Sequence, residues 1–502
     1  MPKIKKVLVA NRGEIALRVM RTCKELNIQT VAVYSRPDQY SPHVLFADES
    51  VFVGEAASSE SYLVIDSIIN AAKSSGSDAI HPGYGFLSEN AGFARRCEEE
   101  GIIFIGPGAT AIELMGDKTA ARDLMNKAGV PSPPGTKDAM EDIEEAKKVA
   151  GEVGFPVLVK AAAGGGGKGM RIIYKKEEFE AGVKAAKSEA KNAFGDDRVY
   201  VEKYLEEPRH IEFQIMADKH GNCIHLFDRE CSIQRRHQKV IEEAPSTVLH
   251  EELRMEMAEA AIAAAKACNY HGAGTVEFLV DKHMKFYFLE MNTRLQVEHP
   301  VTEMITGVDL VELQILVAEG KKLPVTQTDI LKKGHSIECR IYAEDPADNF
   351  LPSTGLLSRH RPPSGYGVRV DAGVEEGQEI SINYDPMISK LSVHAANREK
   401  AIQKMLRALS EYEIAGCKTT IPFCEYALNH DSFRSGTYDT HFVKDHFSAD
   451  LMNVDQPEEI QSFAAVLLSN SSENGQDYTE TGSAANCNGN GKNWWRTRRD
   501  FR

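Results

Sequence analysis

The stretch Val157-Leu-Val-Lys-Ala-Ala-Ala-Gly-Gly-Gly-Gly-Lys-Gly-Met170 gives the first indication of the fold. Glycine inside a regular element costs about 0.5–1 kcal/mol relative to alanine, so this glycine-rich run needs a specific use, and phosphate binding is the first to test. A Walker A loop is excluded, because Gly169 stands where that loop requires Ser or Thr. The spacing of a dinucleotide-binding loop is present, but Met-Arg-Ile-Ile-Tyr after it predicts a strand and not a helix. We therefore predict a strand, a glycine flap and a second strand; a surface hairpin without a ligand is the alternative.

The regions on both sides of the flap predict an α/β protein with several domains. Residues 1–116 begin with a strand, a helix and a second strand, a βαβ unit that implies a parallel sheet. Around the flap, the order helix, strand, flap, strand, helix, strand predicts a separate lobe over about residues 133–205. Residues 206–330 combine strand pairs with an alanine-rich helix, and residues 334–448 are richer in strands.

Composition limits the classes of function. The net charge of −15 argues against nucleic acid or an anionic membrane surface as the main partner, although clustered basic residues can still bind phosphate. The nine cysteines form no C-x-x-C pair, which argues against a zinc site or a disulfide framework and for a reduced, cytoplasmic compartment. A signal peptide and a run of about 18 apolar residues are both absent from the sequence, so we expect no membrane span.

Two glutamates are predicted to face each other in a hairpin. Thr275–Val280 and Phe286–Glu290 read as strands joined by a short polar turn, which brings Glu277 and Glu290 within about one residue of direct opposition. Adjacent carboxylates repel unless a cation lies between them, and Mg²⁺ binds one or two protein carboxylates together with phosphate oxygens and water. The apolar residues around the pair argue against the alternative, an exposed acidic pair.

Polar residues occupy every second position after this hairpin. They are Glu290, Asn292, Arg294, Gln296 and Glu298, and Pro300 is expected to end the strand. A period of two places such residues on one face of an extended chain, and a solvated strand face is the usual cause. Because the row starts at a predicted metal ligand, we favour a site that holds a metal, orients a planar anion and supplies a base.

Basic residues near the glycine flap fit the same chemistry. Lys160 ends the strand before the flap, Lys118 opens a helix, and residues 235–239 form a dense basic cluster. Such runs are more often solvated surfaces than sites. An anion that attacks a polyphosphate must be shielded, however, because like charges about 4 Å apart repel by roughly 4 kcal/mol at an effective dielectric of 20. We therefore expect these cations beside phosphate groups.

Five long motifs together resemble biotin carboxylase, an ATP-grasp enzyme of biotin-dependent carboxylases. They are Lys6-Val-Leu-Val-Ala-Asn-Arg-Gly-Glu-Ile-Ala, His81-Pro-Gly-Tyr-Gly-Phe-Leu-Ser-Glu-Asn90, the flap, Phe227-Asp-Arg-Glu-Cys-Ser-Ile-Gln-Arg-Arg-His-Gln-Lys, and Glu290-Met-Asn-Thr-Arg-Leu-Gln-Val-Glu-His-Pro-Val-Thr-Glu. The likeness runs in order from about residue 3 to about residue 446.

The resemblance implies a division of this α/β chain into domains. A Rossmann-like N-terminal domain is expected at 1–116, an ATP-grasp domain at 117–330 with its mobile glycine-rich lid at about 133–205, and a β-rich C-terminal domain at 331–448. Residues 449–502 lie outside the resemblance and combine a polar linker with a tail that carries Trp494 and Trp495. We expect this tail either to dock onto a partner protein or to be a disordered segment.

The resemblance also implies site residues. ATP would lie between the lid and the larger lobe, with Lys118 and Lys160 at its phosphates and the backbone amides of Gly165, Gly166 and Gly167 closing over them. The other implied nucleotide and substrate contacts are Tyr84, Met170, Glu202, Lys203, Leu205, His210, Gln234 and His237. The implied ligands of Mg²⁺ (or Mn²⁺) are Glu277, Glu290 and Asn292. The implied bicarbonate contacts are Arg294, Gln296 and the Val297 amide, with Glu298 as general base and with Lys239 and Arg340 near the γ-phosphate and the biotin ring.

The implied reaction determines the expected partners. Bicarbonate would attack the γ-phosphate of ATP to give carboxyphosphate, whose carbon dioxide passes to biotin. No Ala-Met-Lys-Met motif occurs in the sequence, so we expect biotin on a separate carrier protein, carboxyltransferase subunits beside it, and a homodimer by resemblance. Two other functions stay open: a different ATP-grasp ligase that joins a carboxylate to an amine, and a non-catalytic ATP-binding subunit. The row from Glu290 to Glu298 argues against the second, since a sensor needs no base.

Overall fold

The structure, a computed structural model, describes residues 3–136, 140, 142–161, 170–194, 197–236 and 238–452. The flap glycines Gly165, Gly166 and Gly167, the predicted site residue His237, and the Trp/Arg tail lie outside these residues. Closure of the flap over phosphates therefore stays a prediction.

The N-terminal region is a parallel α/β sheet, which confirms the βαβ prediction. Its elements are β1 (Lys6–Val9), α1 (Gly13–Glu25), β2 (Gln29–Ser35), α2 (Pro42–Phe46), β3 (Glu49–Gly54), α3 (Ile65–Ser75), β4 (Ala79–His81), α4 (Ala91–Glu99) and β5 (Ile103–Phe104). The strand order is β3-β2-β1-β4-β5. Because β1 and β4 are parallel neighbours, the segments that follow them start at the same edge of the sheet, which brings Glu14 and Tyr84 together.

Two helices connect this sheet to the lid. They are α5 (Ala109–Gly116) and α6 (Lys118–Lys127). The Asp117 carboxylate accepts hydrogen bonds from the backbone N–H groups of Thr119 and Ala120, which fixes the start of α6 at Lys118. The predicted helix start at Lys118 is confirmed.

The lid has the predicted order of elements. They are α7 (Ile143–Val153), β6 (Val157–Ala161), β7 (Met170–Ile173), α8 (Phe179–Phe194) and β8 (Val199–Lys203). The strands form an antiparallel sheet in the order β7-β6-β8, and its apolar side packs on both helices. The strand–glycine–strand prediction is thus confirmed for the two strands, with the glycines themselves outside the described residues.

The rest of the described chain contains one large antiparallel sheet and three two-stranded sheets. Its elements are β9 (Arg209–Ala217), β10 (Cys223–Arg235), β11 (Gln238–Ala244), α9 (Glu251–Ala267), β12 (Gly272–Val280), β13 (Phe286–Asn292), α10 (His299–Thr306), α11 (Leu310–Ala318), β14 (His335–Tyr342), β15 (Glu344–Asp345), β16 (Leu351–Pro352), β17 (Gly355–Leu356), β18 (Arg359–Arg361), β19 (Val368–Ala372), β20 (Glu379–Ile380), β21 (Met387–Ala395), α12 (Arg398–Ser410), β22 (Glu413–Ala415), α13 (Ile421–Asn429), α14 (Asp431–Ser435) and α15 (Phe442–His446). The order in the eight-stranded sheet is β13-β12-β9-β10-β11-β14-β21-β19.

This sheet crosses the boundary that the sequence places between residues 330 and 331. Strand β11 lies before the boundary and pairs with β14 after it, with Glu242 opposite Glu338. Side chains from both regions therefore share one sheet face, and the C-terminal strands can supply residues to a site built on β9–β13. Among the described residues, no helix is long and apolar enough to cross a membrane.

Candidate active site

The predicted carboxylate pair lies at the edge of a cleft. On the β12–β13 ladder Glu277 stands directly opposite Glu290, which confirms the predicted register. The ladder shifts by one residue between this pair and Phe278–Phe288, so Leu289 is an extra, bulged residue. The cleft has a volume of about 330 Å³, and Lys118, Glu290 and Arg294 are among its lining residues.

The prediction that the polar row runs as a strand up to Pro300 is wrong. Strand β13 ends at Asn292, Glu298 is the N-cap of α10, and Pro300 lies in the first turn of that helix. Proline is favoured in a first helical turn because its missing N–H would have no partner there, so it starts this helix instead of ending a strand. The chain bends after Asn292. The polar side chains of the row lie close together because of this bend and not because they share one face of a strand.

Two residues of the row nevertheless donate to the same carboxylate, that of Glu277. Glu277 Oε1 accepts hydrogen bonds from Asn292 Nδ2 at 2.9 Å and Gln296 Nε2 at 3.1 Å. Arg294 donates to Gln296 Oε1 and to Asn292 Oδ1, both at 3.0 Å. Its Nε donates to Glu89 Oε2 at 2.8 Å, a partner that the sequence reasoning missed. The guanidinium is thus held at the cleft wall in a fixed orientation, which suits recognition of a planar anion.

Lys239 is the centre of the buried charge cluster. Its Nζ lies 2.5 Å from Glu212 Oε2, 2.9 Å from Glu277 Oε1 and 2.7 Å from Glu298 Oε1. All three carboxylates are buried, so each depends on cationic partners to remain ionised. Burial alone would lower the pKa of Lys239, but the three carboxylates raise it well above its ordinary value.

Glu298, the predicted general base, is held at both carboxylate oxygens. Lys239 binds Oε1, and Arg340 NH2 donates to Oε2 at 2.9 Å. Burial would raise the pKa of Glu298, but Lys239 and then Arg340 hold this pKa well below its ordinary value. Glu298 is therefore a carboxylate at neutral pH.

Glu212 and Arg229 belong to the site but were missed. Arg229 is fully buried and binds Glu212 Oε1 at 2.5 Å, Gln214 Oε1 at 2.8 Å and Thr302 Oγ1 at 2.9 Å. A signal was present, because His210, Glu212 and Gln214 alternate along β9 and share one face. The nearby His210 Nε2 lies 2.8 Å from Glu277 Oε2, so that face points to the predicted metal-ligand pair.

Arg340 is oriented by a second carboxylate. Its Nε donates to Glu242 Oε1 at 2.5 Å while its NH2 group reaches Glu298. Burial raises the pKa of Glu242 to about 7, and Arg340 opposes the rise. Glu338 lies opposite Glu242 on the β11–β14 ladder, and burial raises its pKa to about 8, opposed by Lys390 and assisted by Glu242.

The raised pKa of Glu338 predicts a pH-dependent stability. Between about pH 4.3 and pH 8 this carboxyl is ionised in the unfolded chain but protonated in the folded protein, so the free energy of unfolding falls as pH rises. We expect Glu338→Gln to remove this slope. Its melting temperature should equal that of the wild type near pH 4.5 and exceed it by about 1–3 °C at pH 8. The exposed Glu379→Gln is the matched control, and an equal effect of Glu338→Gln at both pH values would contradict the prediction.

The lid residues contribute a second cluster. Glu202 Oε2 binds Lys160 Nζ at 2.6 Å, and its Oε1 binds Arg122 at 2.7 Å; Arg122 was not predicted. Burial would raise the pKa of Glu202, but Lys160 and then Arg122 lower it. The Lys203 ammonium donates to the backbone oxygens of Gly154 and Phe155, and its backbone N–H donates to the Pro134 oxygen.

The remaining predicted residues are spread around this frame. Leu205 is buried after β8, Met170 is exposed at the start of β7, and Gln234 lies next to the end of β10, opposite Lys239. Tyr84 donates its hydroxyl to Glu14 Oε1 at the edge of the N-terminal sheet. The structure thus brings the metal, bicarbonate and base predictions into one cluster, whereas Tyr84 and the lid residues bind partners of their own.

Glu290 and Asn292 suit a divalent cation. Within the described part of the chain, the Glu290 carboxylate accepts no hydrogen bond, and it faces the cleft beside Asn292. Burial and the neighbouring Glu277 raise the pKa of Glu290, opposed by Lys118. A cation at this point would relieve the repulsion between the two carboxylates, and the oxygen donors are those that Mg²⁺ prefers.

Three family models match successive parts of the chain. The biotin carboxylase N-terminal domain matches residues 3–112, the carbamoyl-phosphate synthase L chain ATP binding domain matches residues 117–326, and the biotin carboxylase C-terminal domain matches residues 338–445.

Curated relatives and solved structures give the same likeness. The chain is 52% identical over 442 residues to biotin carboxylase 1 of Bacillus subtilis, covering 88% of this chain and 98% of the relative. It is 55% identical over 444 residues to the alpha subunit of the mitochondrial methylcrotonoyl-CoA carboxylase of Dictyostelium discoideum, but spans only 64% of that protein and 88% of this chain. A crystal structure of the biotin carboxylase domain dimer of Hydrogenobacter thermophilus 2-oxoglutarate carboxylase, in complex with MgADP, ADP and bicarbonate, is 50% identical with a TM-score of 0.82, covering 89% of this chain and 98% of that one.

Proposed function

The chain belongs to the biotin carboxylase family, and from this premise we propose how its cleft carries out the ATP- and bicarbonate-dependent carboxylation of biotin. This reaction makes the chain an ATP-dependent ligase. The observation that carries the proposal is one connected cluster: Lys239 bridges Glu277 and Glu298, Arg340 binds the other oxygen of Glu298, and Arg294 binds Gln296, which donates to Glu277.

We assign the bicarbonate site to the wall formed by Arg294, Gln296 and Val297. Arg294 offers a planar guanidinium, fixed by Glu89, that can pair with the planar carbonate group. Glu298 lies next in the chain as an ionised carboxylate and takes the bicarbonate proton. The resulting oxygen nucleophile forms a bond to the γ-phosphorus of ATP while the bond to the ADP oxygen breaks.

We assign metal and nucleotide binding to the rest of the cleft. Glu290, Asn292 and Glu277 would hold Mg²⁺, which neutralises phosphate charge when bound. Glu277 already accepts from several donors, so it can join the metal only when some of them turn away. Lys118 lines the cleft. Lys160 and Glu202 form an ion pair in the lid.

We assign biotin to the region of Arg340. The product of the first step, carboxyphosphate, breaks its bond between carbon and the phosphate oxygen and releases carbon dioxide and inorganic phosphate. The phosphate takes the N–H proton of the biotin ureido group, and that nitrogen forms a bond to the carbon dioxide. The Arg340 guanidinium is held between Glu242 and Glu298, and it would stabilise negative charge that develops on the ureido oxygen. Water must be kept out, because it destroys carboxyphosphate, and this is the role we give to the glycine flap.

The relatives support an assembly made of several parts. The relative from Dictyostelium discoideum is named as one of the subunits of a carboxylase, and another similar structure is that of the biotin carboxylase subunit of pyruvate carboxylase. We therefore propose that a biotin carrier protein and a carboxyltransferase are the partners of this chain, and that two copies form a dimer.

The proposed function is tested with the purified chain and free biotin. We expect ADP release that requires both bicarbonate and Mg²⁺, and transfer of labelled bicarbonate carbon to biotin. Chelation of the metal should reduce both signals at least about 100-fold, since Mg²⁺ and the phosphates act as one unit. ATP cleavage supported by an amino acid instead of bicarbonate would favour the amide-forming ligase. ATP binding without turnover under every condition would favour a non-catalytic binding subunit.

A further inference from the structure

The segment Gln296–Glu298 is held from behind by two fully buried side chains. His299 Nδ1 lies 2.7 Å from the backbone oxygen of Gln296, and Lys390 Nζ donates to the backbone oxygen of Val297 at 2.8 Å. Both side chains are inaccessible to solvent. Neither residue was singled out by the sequence, and neither has a part in the chemistry proposed above.

The peptide geometry gives these contacts a direction. The peptide bond between Gln296 and Val297 is trans, so its C=O and N–H groups point to opposite sides. When His299 holds the Gln296 oxygen towards the interior, the Val297 N–H is turned away from the interior. Within the described residues this N–H makes no hydrogen bond, and Val297 is only half-buried. A free, fixed N–H group beside Arg294 is a donor suited to an anion.

The protonation state of His299 follows from its surroundings. A carbonyl oxygen can only accept, so Nδ1 carries the proton. Burial and then Lys390 and Arg18 lower the pKa of His299 well below its ordinary value, so the ring is neutral. Its Nε2 lies 3.9 Å from Glu303 and has no hydrogen-bond partner among the described residues. The ring therefore contributes one hydrogen bond, and that bond is to the Gln296 oxygen.

Lys390 connects the same segment to the C-terminal strands. On the β14–β21 ladder it stands opposite Arg340, and its Nζ lies 3.2 Å from Glu14 Oε2. Arg340 binds the Glu298 side chain while Lys390 binds the Val297 backbone. Two paired residues of one ladder thus hold two successive residues of the segment, which explains how a C-terminal strand pair acts on a site built mainly by β12 and β13.

We propose that His299 and Lys390 are positioning residues for bicarbonate: they fix the two peptide units around Val297 so that its N–H is presented to the anion. This inference rests on the proposed function, and specifically on the bicarbonate site at Arg294, Gln296 and Val297. The competing explanation is that both residues serve only to fill and neutralise the core, which would affect folding but not bicarbonate selectively.

The experiment compares Michaelis constants. His299→Leu removes the ring donor and leaves only the longer backbone N–H contact of residue 299 to the Gln296 oxygen, at 3.4 Å. We expect the KM for bicarbonate to rise about 10–100-fold, the effect of one lost hydrogen bond from the Val297 N–H to a charged group, with the KM for ATP changed less than about threefold. His299→Asn places an amide N–H near the former Nδ1 position and should restore the bicarbonate KM to within about fivefold of the wild type. Lys390→Met should raise the bicarbonate KM in the same selective way.

A matched control separates positioning from packing. His43 is also fully buried, has a pKa lowered by burial to about 4, and lies 3.3 Å from the backbone oxygen of Val33. We expect His43→Leu to lower the melting temperature without altering the bicarbonate KM.

An unchanged bicarbonate KM in folded His299→Leu, or equal increases of the KM for bicarbonate and for ATP, overturns the inference. If His299→Leu does not fold, the inference is tested with Lys390→Met and His299→Asn. In that case, a wild-type bicarbonate KM in Lys390→Met overturns it. A wild-type chain without bicarbonate-dependent turnover would instead refute the proposed function.

Discussion

Replacing Glu298 with glutamine is expected to lower the kcat of bicarbonate-dependent ATP cleavage by about 10²–10⁴-fold, the usual contribution of a general base. The amide keeps the volume of the side chain, and its single oxygen can still accept from one of the two cations, Lys239 or Arg340, whereas its NH2 group cannot accept from the other. The melting temperature of the variant should therefore be measured together with its activity. What the amide cannot do is take the bicarbonate proton. The loss should therefore appear in kcat, with the ATP KM nearly unchanged.

The pH profile distinguishes loss of a base from loss of structure. Because Lys239 and Arg340 hold the pKa of Glu298 well below its ordinary value, the wild-type base stays ionised in mildly acidic solution. A moderate rise in pH should not restore a base in Glu298→Gln, since a carboxamide does not become a proton acceptor in this range. Glu312→Gln, an exposed position on α11, is the control and should keep wild-type activity. Full bicarbonate-dependent turnover in Glu298→Gln would remove Glu298 from the mechanism.

Local patterns carried most of the prediction. Glu277 and Glu290 lie on adjacent strands of one hairpin, so counting along a two-stranded ladder was enough to find their opposition. The lid strands and the N-terminal βαβ unit are likewise formed by neighbours in sequence. In each case the hydrophobic pattern and the turn residues lie within a window of a few tens of residues, where periodicity is informative.

The errors and omissions come from contacts between distant segments. Glu212 and Arg229 face each other on the consecutive strands β9 and β10, but they reach the site only because β9 also pairs with β12, which places Glu212 opposite Glu277 much later in the chain. Glu242 reaches Arg340 over 98 residues of chain, through the β11–β14 pairing. Alternation after Glu290 suggested a strand, but proline in the next segment started a helix, and only tertiary contacts then bring Gln296 back to Glu277.

The second large effect is expected from Lys239→Met. This ammonium is the cation shared by Glu212, Glu277 and Glu298, and methionine fills a similar volume without the charge. Removing one partner of buried ions leaves uncompensated charge, so the free energy of unfolding should fall by about 3–5 kcal/mol in urea titrations. ATP cleavage should fall as well, because Lys239 is the largest influence that lowers the pKa of Glu298 against burial.

The pH dependence and a second substitution test whether charge is the cause. Without Lys239 a buried carboxylate gains a raised pKa, so the destabilisation should be smaller at about pH 5.5 than at about pH 8. Lys239→Met combined with Glu212→Gln removes one negative charge while the amide oxygen still accepts from Arg229, and it should recover a good part of the lost stability. Lys73→Met is the control, because the exposed Lys73–Glu100 pair has the same 2.7 Å separation as Lys239–Glu298 but should change stability by less than about 1 kcal/mol. A stability loss in Lys239→Met as small as that of Lys73→Met, or one that does not depend on pH, would mean that Arg229, Arg340 and His210 alone hold the three carboxylates in place.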